Sequence, residues 1–214
     1  MKKNLFIVLF VFLFAGTSFS QETKVGLTIG ANISTLLNSN DNADPLDYLI
    51  SFQGGLVLDI GISDNFSVTP EILFSQRGAY QLYEEKGNSK NTAKYWITMD
   101  YVSIPVNATF KISLNSKTKW LFFAGPYISY AVYGEQKNER TTNGETTTET
   151  EKIKFGSKAD EMKPLDFGIN GGTGLQFGKG FFKFQCNYGL SNLNPESSTT
   201  VRNLNFALTA GLFF

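Results

Sequence analysis

From residue 101 to 114 the chain reads YVSIPVNATFKISL, and the alternation is strict. Val102, Ile104, Val106, Ala108, Phe110, Ile112 and Leu114 take every second position, with Tyr101, Ser103, Pro105, Asn107, Thr109, Lys111 and Ser113 between them. Successive side chains of a strand point to opposite faces, so a period of two marks a strand with one apolar and one polar side. The same period recurs at about 24–35, 50–63, 66–78, 120–134, 164–177, 182–191 and 202–214, which makes eight such segments in one all-β domain. In the third, Leu73 breaks the pattern, and in the fifth both faces carry aromatics, with Phe122, Ala124, Ile128, Tyr130 and Val132 taken as the apolar one.

The sign of the alternation selects the environment. A soluble barrel turns its apolar face inward and solubilises itself with a charged outer face. Here the polar face is mainly Gly, Ser, Thr, Asn and Gln, a thin coat for strands carrying so much Phe, Ile and Leu. Turned inward, those small side chains suit the interior of an eight-stranded barrel, which is only just wide enough to be filled. Turned outward, the apolar face suits lipid, where a closed barrel also satisfies every backbone N–H and C=O. The expected fold is therefore an eight-stranded antiparallel up-and-down transmembrane β-barrel.

The connections agree. Those after the second, fourth and sixth segments are short turns (SDN at 63–65, NSKTK at 115–119, GKG at 178–180), and the others are longer. Short turns on one side and long polar loops on the other are the periplasmic and extracellular ends of an outer-membrane barrel. Pro45, Gly87, Asn88 and Pro195 mark long loops. The longest connection, 135–163, contains KNERTTNGETTTETEK, has no apolar period and reads as a mobile polar loop. Phe52, Tyr101, Tyr133 and Phe181, near segment ends, are candidates for interfacial girdles.

The first twenty residues, MKKNLFIVLFVFLFAGTSFS, have the basic start, short apolar run and small-residue end of a secretory signal peptide, with cleavage expected between Ser20 and Gln21. The apolar run is too short for a spanning helix. Export leaves 21–214 as the barrel domain, with 17 basic against 19 acidic residues, a net charge of −2 that offers nothing to nucleic acid. The sole cysteine, Cys186, excludes an intrachain disulfide and reads as a small apolar residue facing lipid. The chain contains no His, which removes Ser-His and Cys-His catalysis and His-containing zinc sites. No enzyme activity, cofactor or metal is expected.

Six charges fall on the inward face: Asp59, Glu71, Arg77, Lys111, Asp166 and Lys183. In so narrow a barrel opposite charges should pair, because an unpaired buried charge is costly. They form either a structural plug of salt bridges, the favoured reading, or a selectivity lining. The glycines at 168, 171, 172 and 174 resemble a phosphate loop in spacing only; no helix follows, and they are expected to make room for bulky lumen side chains. Glu145, Glu149 and Glu151 lack the spacing of a calcium loop, and their segment is a candidate for binding an envelope protein partner.

Taken in order, VGLTIGANIS, PEILFSQRGA, YVSIPVNATFK, FFAGPYISY, DFGINGGTGLQF and the closing NLNFALTAGLFF resemble the PorT-like outer-membrane β-barrel family of the Bacteroidetes. The resemblance covers nearly the whole mature chain and implies an eight-stranded outer-membrane barrel. It supplies no catalytic residues, and the secretion role linked to the namesake is not encoded in these residues. The closing stretch places Phe206, Leu208, Leu212 and the terminal Phe214 on one face, resembling the signal by which barrel-assembly machinery recognises its clients. The leading expectation is a monomeric, non-enzymatic integral outer-membrane barrel with long extracellular loops and a side-chain-filled lumen. A secretion- or transport-accessory barrel and a soluble periplasmic lipocalin-like binder are the alternatives.

Overall fold

The computed structural model describes residues 22–39, 46–85, 88–196 and 199–214; the signal segment, its Ser20–Gln21 cleavage site, Pro45 and Gly87 lie outside them. Among the described residues nine antiparallel strands form one sheet: β1 (Thr23–Asn38), β2 (Asp47–Ser63), β3 (Phe66–Glu85), β4 (Asn88–Ser113), β5 (Thr118–Thr142), β6 (Glu145–Lys152), β7 (Leu165–Phe177), β8 (Gly180–Gly189) and β9 (Val201–Phe213). Eight of them close a ring, with β6 outside it, because β4 pairs with β5, β5 with β7, and β9 with β1. The closing seam runs from Gly26↔Phe213 to Asn38↔Val201, so no barrel edge is left for unpaired backbone groups. The shortest ring strand, β8 with 10 residues, is as long as a tilted spanning strand needs to be.

The wall is inverted relative to a soluble protein. Val25, Leu27, Ile29, Ile50, Phe52, Val102, Ile104, Phe167, Phe184 and Leu208 face outward and exposed, whereas Asn32, Ser67, Ser75, Ser103, Ser129 and Asn205 are buried inside. The fifth segment follows the expected parity, with Phe122, Ile128, Tyr130 and Val132 exposed and Leu121, Phe123, Tyr127 and Ala131 buried. Leu73 keeps its inward parity and is buried as an apolar residue of the lumen. Cys186 is partly exposed on the outer wall.

Two expectations are corrected. The stretch beginning at Glu135 continues β5 to Thr142 and returns as β6, paired from Glu135↔Lys152 to Thr142↔Glu145. Asn143 (φ 52°) and Gly144 (φ 88°) form the turn, and two left-handed residues are what a two-residue hairpin loop demands. Likewise β3 and β4 stay paired to Glu85↔Asn88, so the connection after the third segment is a long hairpin with Asn88 in a strand. Beyond the barrel rim β3, β4, β5 and β6 thus form a four-stranded arm on the side of the long connections. Its polar residues carry no period-two signal because both faces of the arm meet water.

Candidate functional site

Two regions gather polar chemistry: the lumen and the arm. In the lumen the large aromatics sit where a neighbouring strand supplies glycine. Tyr127 lies directly opposite Gly168 and Phe123 opposite Gly172, Phe181 opposite Gly211, and Phe213 opposite Gly26. A Cβ on Gly168 would come within 2.8 Å of the Tyr127 ring, and one on Gly172 within 2.7 Å of Phe123. The inward glycines at 168, 172 and 174 therefore lie in a strand wall and shape its packing. Tyr101 and Phe181, considered for the girdles, are instead fully buried inside, whereas Phe52 and Tyr133 lie on the outer wall. A lumen whose polar side chains are mostly small needs a few rings to reach interior packing density.

The six inward charges form two groups at different depths. Near the short turns, Lys111 Nζ donates to Asp59 Oδ2 at 2.5 Å and Lys183 Nζ to Glu71 Oε1 at 2.5 Å. Lys183 also lies over the Phe123 and Phe181 rings, 5.5 and 5.4 Å from their centroids, an attraction between ammonium and ring face. Phe181, Phe213 and Val57 pack together beside these pairs. The remaining cavity has a volume of about 20 Å³, which holds about one water.

Arg77 and Asp166 form the second group, nearer the long connections. Arg77 donates through Nε to Ser75 and through a terminal nitrogen to Ser103, both at 3.2 Å. Its other terminal nitrogen is 3.6 Å from Asp166 Oδ2, and its guanidinium lies between the Tyr101 and Tyr127 rings. Asp166 accepts from Tyr127 at 3.1 Å, Asn203 at 3.0 Å and Ser191 at 2.6 Å. Hydrogen bonds and a cation thus stand around this carboxylate where water would in a wet site. A ladder of shared donors extends the network through Ser103–Ser129 at 2.7 Å and Asn32–Ser75 at 3.2 Å.

Above this network Leu36, Ala79, Met99, Tyr101, Ala131 and Leu193 form an apolar layer, against which Leu46, Ile153, Phe155 and Met162 pack. Several of these residues come from connections rather than barrel strands. A hydrated path through the barrel would have to pass both the charged filling and this layer, and the latter offers water no partners.

The arm is wetter. All eight residues of β6 are exposed. On one face Tyr80 packs on Trp96 at 5.3 Å between ring centroids, with Lys137 Nζ 4.9 Å from the Trp96 centroid. Lys94 and Lys137 both reach Glu139, at 3.3 and 3.6 Å. The other face bounds most of a cleft of about 390 Å³, which Tyr80, Trp96 and Lys137 also border. Among the described residues no three His, Cys, Asp or Glu side chains converge as a metal site.

At the opposite end, Phe214 donates its N–H to Val25 at 2.8 Å. Its side chain is 65% exposed, on the outer face with Leu208 and Leu212, and Phe206 shares that face half-buried. The terminal residue is thus held by the closing seam while its ring projects toward lipid.

No curated protein matches the chain. Among solved structures, Ail, the attachment invasion locus protein of Yersinia pestis, is similar at 17% identity, over 91% of this chain and 100% of that chain, with a TM-score of 0.44. Neisserial surface protein A is similar at 12% identity over 91% of this chain and 100% of that chain, with a TM-score of 0.41. OprG from Pseudomonas aeruginosa is similar at 11% identity over 91% of this chain and 97% of that chain, with a TM-score of 0.40. Residues 19–194 match the family described as outer membrane protein beta-barrel domain. The chain belongs to that family, and it is an integral β-barrel protein of the cell outer membrane.

Proposed function

We propose that this barrel is a sealed, non-enzymatic scaffold that holds its extracellular arm above the outer membrane for binding. The observation that carries this reading is the doubly closed lumen: paired charges fill it and an apolar layer caps it. An eight-stranded barrel filled by side chains leaves no aqueous channel. The absence of His from the chain, and the mutual neutralisation of the buried acids and bases, support a role without catalysis. The test is conductance: the full chain in planar bilayers is expected to give no stable porin-sized steps, and such steps would overturn the reading.

The finer assignment is a PorT-like barrel of the Bacteroidetes type, supported by the sequence resemblance; its N-terminal residues support export by a signal peptide cleaved after Ser20, and it works as a monomer with an envelope protein partner. Assembly through the barrel-assembly machinery uses the C-terminal strand, with Phe206, Leu208, Leu212 and Phe214 as its recognised face. Deleting Phe214 is expected to lower the amount of heat-modifiable barrel recovered from outer membranes. Undiminished recovery would leave that residue a packing role alone.

A further inference from the structure

We infer that the cleft on the arm is a binding site for a neutral or amino-bearing saccharide, which gives the proposed binding role of the arm a ligand class. Strand register builds it. Gln81, Tyr95, Asn138 and Glu149 lie in one continuous rung across β3, β4, β5 and β6. The next rung toward the barrel brings Gln136 and Glu151 to the same face. All six border the cleft, whose volume of about 390 Å³ is at the small end for ligand sites.

The cleft carries unspent hydrogen-bonding capacity. Nearby on the arm, Lys94 pairs with Glu139 and Thr141 with Thr146. Among the described residues, the amides of Gln81, Gln136 and Asn138, the Tyr95 hydroxyl and both carboxylates have no hydrogen-bond partner within the chain.

The chemistry of these groups selects the ligand. Planar amides donate and accept side by side, and carboxylates accept only, so the complementary molecule carries closely spaced groups that can do both. Vicinal hydroxyls have that property. Tyr95 is 37% exposed and is braced edge-on by Tyr83 at 5.8 Å between centroids. Its electron-rich face is suited to the C–H groups of a sugar ring. Glu149 and Glu151 make the site acidic, and Lys137, which also borders it, is engaged by Glu139 and the Trp96 ring. Phosphorylated and sulfated ligands are therefore rejected, and an amino group is welcomed.

The test uses the full chain in lipid nanodiscs, titrated calorimetrically with glucosamine, N,N′-diacetylchitobiose, maltose, lactose and a sulfated disaccharide. At least one uncharged or amino sugar is expected to bind saturably, with the sulfated one silent. Tyr95→Ala and Asn138→Ala should each weaken binding by about tenfold or more, while Tyr95→Phe, which keeps the ring, stays within about threefold. Heat-modifiability on gels establishes that each variant is folded. Silence toward every uncharged and amino sugar, preference for the sulfated probe, or binding indifferent to Tyr95→Ala would overturn the inference. Failure here with a non-conducting barrel removes the ligand class and leaves the sealed scaffold standing; porin-sized conductance would remove the scaffold reading whatever the sugars do.

Discussion

The barrel and its arm share three strands, β3, β4 and β5, yet they solve opposite problems. Within the wall, β3, β4 and β5 present lipid with Phe74, Val106 and Ile128 and hide Glu71, Ser103 and Ser129. A few residues further along, the same strands carry Tyr95, Gln136 and Asn138, water reaches both faces, and the alternation ends. In the wall, lipid offers polar side chains no partner, and many pair inside the lumen, although Asn107 Oδ1, Asn170 Oδ1 and Thr209 Oγ1 are buried there without one. In the arm, polar groups are free to wait for a ligand, because water satisfies them meanwhile. The difference teaches where function can reside in such a molecule: groups that water satisfies can exchange it for a ligand, whereas groups shut inside the barrel are out of a ligand's reach.

Substitutions should separate the two regions by the size of their effects. The largest is expected at Asp166, which is fully buried and accepts three hydrogen bonds beside Arg77. Asp166→Ala strands the guanidinium and should cost about 3–5 kcal/mol, read as a lowered urea midpoint of the barrel in micelles. Adding Arg77→Leu to that variant should recover a large part of the loss; no recovery would mean that the network around the pair, rather than the stranded charge, sets the cost.

A smaller effect is expected where a ring needs space. Gly168→Ala pushes a methyl against the Tyr188 carbonyl oxygen and within 2.8 Å of the Tyr127 ring and should cost about 1–3 kcal/mol on the same urea curve. Tyr127→Leu in the double variant should recover only the part owed to the ring; complete recovery would mean that the backbone at Tyr188 yields freely. The smallest effect belongs to the arm. Gly144→Ala places a side chain on a residue with φ of 88° that has open space around it, so only backbone strain of about 1–2 kcal/mol is added. Amide exchange should quicken in β5 and β6 beyond Glu135 while the barrel's urea midpoint stays put. A fall in that midpoint comparable to the Asp166 variant would erase the distinction between the two regions.

Legibility in the sequence followed the same division. Parity alone assigned Val102 and Phe122 to lipid and Ser103 and Asn107 to the interior, because a strand has no other way to place successive side chains. It also placed Tyr101, Leu73 and Phe213 on the polar side, although their apolar chemistry suggested girdles or packing exceptions, and it left Phe181 as a girdle candidate at a segment end. The signal that finds them is positional: Phe181 and Phe213 stand across from Gly211 and Gly26, which becomes visible only when strands are put in register. The β5–β6 hairpin had a single cue, the Asn-Gly pair at 143–144, and its flanks lacked the apolar rhythm that marks the wall.

The sequence by itself determined the environment and the architecture, since one apolar face on every wall strand, small residues on the other and alternating turn lengths admit a lipid-facing ring and little else. It also determined that acids and bases would share the interior. Only the tertiary structure decided who meets whom. Lys183 finds Glu71 112 residues away, Arg77 finds Asp166, and Tyr95 joins Asn138 and Glu149 in one rung. Those pairings depend on the strand register and stagger around the closed barrel, which no local run of residues encodes, because a strand's own alternation is the same whichever neighbour it slides against.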